Sequence, residues 1–212
     1  MDDGSAQLVF TPDNEPYLGR QLLFHFDNLI CSCLEQSGKV APKTHEISKS
    51  DLQHAACQLI PQAISIALSI RELIRQGYLF GALVLVRPLS ERAAILLFLN
   101  QNPAEVGKWN RGWRHDEAPS LAKIIESLAA SSDFPHGLKG HQVTAPFNSV
   151  LHGKPDCAIW SMMPLEGGRF GHAPSKILNN PALCDEICAQ AIPWLVCVQC
   201  MIGAFFPELS VP

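Results

Sequence analysis

The sequence predicts an all-α chain: a single-domain helical bundle with kinked helices and a long irregular loop near residues 153–180. Three observations predict it. Apolar residues recur at three- and four-residue steps in several long segments, which is the helical period. Serine, proline and glycine stand where helix starts and stops are expected. No apolar run has an evident partner strand elsewhere in the chain.

Residues 1–14 read as a polar lead-in, and 15–212 as one helical domain. A first helix is predicted over 15–36, where Leu18, Leu22, Phe26, Leu29 and Cys33 follow the helical period. Residues 37–45 read as a loop. A second helix should start at Ser48 or Ser50, either of which suits an N-cap, and run to about Gln76 with Gly77 closing it. Pro61 should kink that helix or split it. Residues 79–101 suit one long helix kinked near Pro88; the alternative is a buried strand followed by a helix that opens at Pro88.

Residues 102–118 read as a polar connection, and 119–132 as a helix started by Pro119 and Ser120. Residues 133–146 look like loop. A short helix should carry Phe147–His152 and stop at Gly153 and Pro155. Residues 156–180 read as irregular, with MMPLEGGRFGHAPSK as a mobile loop. A final helix is predicted over 181–205, kinked at Pro193. No internal repeat is present.

Composition bounds the function. Among 212 residues, 47% are hydrophobic and 17% charged, ordinary values for a folded globular chain. The formal charge is −4, so no global field favours nucleic acid. The imbalance is local: residues 1–58 hold eight acids against four lysines and arginines, and the rest balances at twelve against twelve. The start, MDDGSAQ, is acidic where a secretory signal would be basic and then apolar. Its apolar runs fall short of the roughly 18 clean residues of a membrane span. A soluble cytoplasmic protein with reduced thiols is therefore expected.

The stretch Leu79–Leu99 is the most apolar in the chain, and Arg87, Glu91 and Arg92 are its only charges. Charges in such a setting must be paired or must line a cleft, because an unpaired buried charge is very costly. Arg87 and Glu91 are four apart, so they meet on one helix face. This pair reads either as an anion site, with Arg87 holding the anion, or as an internal ion pair that fixes helix register.

Asn148 and His152 are also four apart, and present an amide and an imidazole on one face. The alternative is a histidine that caps the helix end. In KWNRGWRH, Lys108, Arg111 and Arg114 alternate with Trp109, Trp113 and His115, a pattern that suits stacking on bases and contact with phosphate. The two tryptophans suit a core equally well. Of the eight cysteines, Cys31 and Cys33, Cys184 and Cys188, and Cys197 and Cys200 form close pairs. They read as small buried hydrophobes, since no loop knuckles accompany them. His136 and His172 lie in loops with nothing to arrange them. No glycine-rich phosphate loop, HExxH or G-x-S-x-G elbow is present.

Two of these elements carry a resemblance. Arg87 to Glu91 in LVLVRPLSERAAILLFL, and Ser149 to Gly153 in SVLHG, resemble motifs of the HEPN-like all-helical superfamily. Within it, the likeness is to bacterial domains associated with stress and phage defence, and it covers roughly residues 50–155. It implies either a metal-independent ribonuclease or toxin, or a non-catalytic relative that keeps the bundle. In such ribonucleases an arginine stabilises the phosphorane charge, and a histidine a few residues on moves the proton of the ribose 2′-hydroxyl. The one such spacing here is Arg20 to His25, in the first helix.

Carried onto this chain, Arg87, Glu91, Asn148 and His152 become the expected catalytic set. Arg92, Lys108, Arg111, Arg114 and Lys154 become the expected RNA or ligand contacts. The implied partner is RNA or another protein subunit, in a homo-oligomer, with no cofactor and no metal. Two readings stand beside this: a non-enzymatic interaction or dimerisation module built on the apolar run 193–206, and a bundle that binds a small anion at Arg87.

Overall fold

A computed structural model describes residues 15–114, 117–130, 139–155, 162–172, 177 and 179–207. Among them are seven α-helices: α1 (Gln21–Val40), α2 (Asp51–Arg75), α3 (Leu79–Gln101), α4 (Pro103–Asn110), α5 (Leu121–Ala129), α6 (Gly140–Leu151) and α7 (Pro181–Phe205). The chain is an all-α bundle, as its periodicity predicts. One short antiparallel hairpin, β1 (Met162–Pro164) and β2 (Phe170–His172), interrupts it. The lead-in at 1–14 lies outside the described residues.

The apolar third helix explains the architecture. Leu79, Ala82, Val86, Leu89, Ala93, Ala94, Leu96 and Leu99 are fully buried. A helix that is apolar around most of its circumference belongs at the centre, and α3 touches α2, α4, α5, α6 and α7. The α2 and α7 helices pack on it, α1 packs on α7, and the α5–α6 pair rests on another side. Arg20 meets Asp185, Ser32 meets Gln199, and Cys33 meets the Leu195 carbonyl. These contacts advance together along both helices, so α1 and α7 run in the same direction. Both α2 and α7 are long and apolar enough to cross a membrane by length and composition; here both pack in the bundle.

Local signals set several boundaries. Ser50 caps α2 through a capping box: its hydroxyl accepts from the Gln53 amide, and the Gln53 side chain accepts from the Ser50 amide. Gly77 follows α2 with φ 79°, as a helix-ending glycine should. Asn180 caps α7, whose limits match the predicted 181–205. Pro61, Pro88 and Pro193 each lie inside a continuous helix. Pro61 therefore does not split α2; packing of its buried face holds the helix across the missing hydrogen bond.

Four expectations need correction. The first helix starts at Gln21 rather than 15, because Pro16 to Gly19 form a turn that needs φ 90° at Gly19. It then runs past 36 to Val40, which is buried. The 102–118 connection contains α4, opened by Pro103 in its first turn and anchored by buried Val106.

The helix ending at Leu151 begins at Gly140, inside a stretch read as loop. A Cβ at Gly140 would sit 2.0 Å from the Ala122 carbonyl oxygen, so only glycine admits this approach of α5 and α6. The irregular stretch 156–180 holds the hairpin, turned by Gly167 and Gly168, both with φ 72°.

Candidate functional site

The long-range contact between α3 and α6 brings one member of each predicted polar pair together. Arg87 Nε donates to Glu91 Oε1 at 3.0 Å, within α3. Arg87 Nη1 donates to Asn148 Oδ1 on α6, 61 residues away. Arg92 extends the cluster: its Nη1 meets Glu91 Oε2 at 3.4 Å, and its Nε donates to Gln62 Oε1 on α2 at 3.4 Å. Two guanidiniums against one carboxylate leave a net +1. The side chains of Arg87, Glu91 and Arg92 keep 24%, 31% and 32% of their accessibility. The group therefore faces water rather than lying sealed in the core. Nη2 of Arg87 has no hydrogen bond to the described residues and remains a donor.

His152 is not drawn into this network. It is the C-cap residue of α6 and is exposed; its amide donates to the Asn148 carbonyl at 3.0 Å. Its imidazole has no hydrogen bond to the described residues. Gly153 (φ 58°) and the Lys154 amide, which donates to the Ser149 carbonyl at 3.1 Å, close the helix end. Lys154 itself is exposed. The imidazole thus stands one turn beyond the amide that holds Arg87. A shallow dent lined by Pro61, Gln62, Ser65, Ile66 and Arg92 lies beside the cluster.

The cationic segment after α3 behaves differently from a base-stacking platform. Trp109 and Trp113 both pack against the core, and Trp113 meets Phe98 edge-on at 6.4 Å. Lys108 pairs with Glu105 at 2.7 Å, while Arg111 and Arg114 are exposed. His115 and His136 lie outside the described residues.

A second polar cluster, unforeseen in the sequence, ties α1, α2 and the start of α7. Arg71 Nε meets Asp27 at 2.5 Å and its Nη2 meets Glu15 at 2.8 Å. Arg20 pairs with Asp185. The Tyr17 hydroxyl donates to the Ile177 carbonyl at 2.8 Å and accepts from the Asn180 amide. Burial pushes the Tyr17 phenol up. Each charged side chain here is spent on another element, which is the signature of a structural tie.

Cys184 and Cys188 are both buried on α7, and the neighbouring thiol together with burial pushes Cys188 up. Burial pushes the Cys33 thiol up to about 12 and Cys197 to about 11, so neither is a nucleophile at neutral pH. Cys31 and Cys200 are exposed, against the expectation of burial. Among the described residues, no group of three or more His, Cys, Asp or Glu is placed to hold a metal.

The sequence reading also missed a cavity of about 300 Å³ at the junction of α1, α2 and the end of α7. The signal was present in Pro61, a helix-interior proline that removes the N–H owed to the Cys57 carbonyl; both residues line the cavity. Comparison of the chain with known protein families, curated proteins and solved structures finds no match.

Proposed function

We propose that this chain is a HEPN-like helical protein of the stress or phage-defence type that acts on RNA through the α3–α6 cluster. One observation carries the reading: the Arg87–Asn148 hydrogen bond ties the first motif on which the resemblance rests to the residue that immediately precedes the second. In this reading, Glu91 and Asn148 hold the guanidinium, and Nη2 of Arg87 takes a phosphate oxygen. His152, one turn from Asn148 and open to solvent, accepts the proton of the ribose 2′-hydroxyl. Arg92, Arg111, Arg114, Lys108 and Lys154 supply further contacts to the backbone.

The test is incubation of the purified chain with tRNA and total RNA, with and without EDTA. Cleavage that persists in EDTA and falls about 10²-fold or more in His152→Ala supports the catalytic form. Salt-dependent binding without cleavage, weakened in Arg87→Ala, supports the non-catalytic form. Neither binding nor cleavage refutes both.

The outer edge of α7 favours a second property, pairing with another copy. Ala182, Glu186, Ala189, Pro193, Val196, Cys200 and Gly203 are exposed at alternating four- and three-residue steps, the spacing of a helix–helix seam. Beyond Glu186 this edge carries no charge. Light scattering should find a dimer, and Val196→Glu should give a folded monomer. A monomeric wild-type chain at tens of micromolar removes this reading.

A further inference from the structure

The cavity at the junction of α1, α2 and α7 has two chemically distinct parts. Its walls include Val40, Ala56, Ile60, Ile202 and Phe206, all buried and apolar. Its polar lining comes from Ser37, Thr44, His45 and Lys49, in and around the 3-10 turn at Lys43–His45. Lys49 is half-buried, and its Nζ donates to the Thr44 carbonyl at 2.6 Å, which leaves two ammonium protons for another acceptor. The Thr44 hydroxyl donates to the Ala41 carbonyl at 2.6 Å and so fixes the turn that positions Lys49. Among the described residues no acid lines the cavity, so there a bound anion meets Lys49 and His45 without an opposing carboxylate.

The size limits the occupant. About 300 Å³ is at the lower end for ligand sites. At the roughly 30 Å³ that one water claims, it accommodates about ten non-hydrogen atoms. A nucleotide is too large and too polar for these walls. A phosphate ion alone leaves the apolar surface unused.

We propose that this cavity binds a small amphiphilic monocarboxylate, with its aliphatic chain against Ile60, Ile202 and Phe206 and its carboxylate on Lys49 beside His45. This site is separate from the Arg87–Asn148 cluster, and its fate does not depend on any action on RNA.

The test is calorimetry on the full chain with hexanoate, octanoate, decanoate, dodecanoate and 1-octanol. Affinity should rise about fourfold per methylene up to octanoate, which has ten non-hydrogen atoms, and stop rising by dodecanoate. The uncharged 1-octanol should bind at least tenfold more weakly than octanoate. Lys49→Met should erase that discrimination, and Ser37→Phe, which adds bulk to the lining, should weaken every ligand while far-UV dichroism stays unchanged. Absence of octanoate binding overturns the proposal. So does equal affinity for octanoate and 1-octanol, or affinity that keeps climbing to dodecanoate. The alcohol and chain-length comparisons use the wild-type protein, so they decide the matter even if a variant misfolds.

Discussion

Replacing Arg87 with alanine tests whether the α3–α6 contact carries energy. The Arg87 side chain is three-quarters buried and makes two hydrogen bonds, one to Glu91 in its own helix and one to Asn148 across the bundle. A hydrogen bond involving a charged group contributes about 1.5–3 kcal/mol, and an i,i+4 pair on a helix adds about 0.3–0.5 kcal/mol. Glu91 is not stranded by the change, because Arg92 remains 3.4 Å from its other oxygen. The penalty for an unpaired buried charge is thereby avoided. The expected cost is about 2.5 kcal/mol. For a chain of this size that lowers the melting temperature by about 5–10 °C.

Asn148→Ala should cost less, about 1.5 kcal/mol, since Arg87 keeps Glu91 and gains water. The decisive measurement is the double-mutant cycle in urea, read from midpoints at constant m. The double variant should lose about 1.5 kcal/mol less than the sum of the singles. Additivity within about 0.3 kcal/mol refutes the argument. It would mean the two side chains share no energy, and the proposed site would lose its central contact.

Other perturbations separate local from tertiary effects. Gly140→Ala should destabilise by about 3 kcal/mol or more, because its Cβ collides with the backbone of Ala122. Gly38→Ala, also within a helix but in open space, should stabilise by about 0.5–1 kcal/mol; both are read by urea denaturation. Arg75 holds the Glu72 carboxyl down at about 2, against about 4.3 when unfolded. Its contribution is therefore full above about pH 5 and fades as pH falls from about 4.3 toward 2. The Glu72 side chain is 55% exposed, so screening keeps that contribution below about 1 kcal/mol. The gap in urea midpoint between wild type and Glu72→Gln should be present at pH 7 and nearly closed at pH 2.5. In thiol titration of the folded chain at pH 8, Cys31 and Cys200 should react at once, while Cys33 and Cys197 wait for denaturant. A fast phase that loses no thiols in Cys31→Ser with Cys200→Ser would contradict the assigned exposures.

The sequence by itself determined the elements whose signals are local. The Ser50 capping box, Gly77, Asn180 and the apolar periods of α2 and α7 act within a turn or two of the residues they control. Helix existence and those limits were therefore legible. The same holds for the central place of α3, since a helix apolar on nearly every side has nowhere else to go. The i,i+4 spacings that bring Arg87 to Glu91 and put Asn148 one turn from His152 were also readable.

Only the tertiary structure decided what lies far apart in the chain. Nothing local says that Arg87 meets Asn148, or that Arg71 reaches both Glu15 and Asp27. The start of α6 was hidden because Gly140 reads as a loop residue until Ala122 is seen against it. The cavity escaped notice for the same reason: α1, the 3-10 turn, α2 and the last turn of α7 each contribute a fragment of its lining. Helix-forming interactions span a few residues, whereas a site or cavity depends on how finished helices dock, and docking is fixed by packing over the whole bundle.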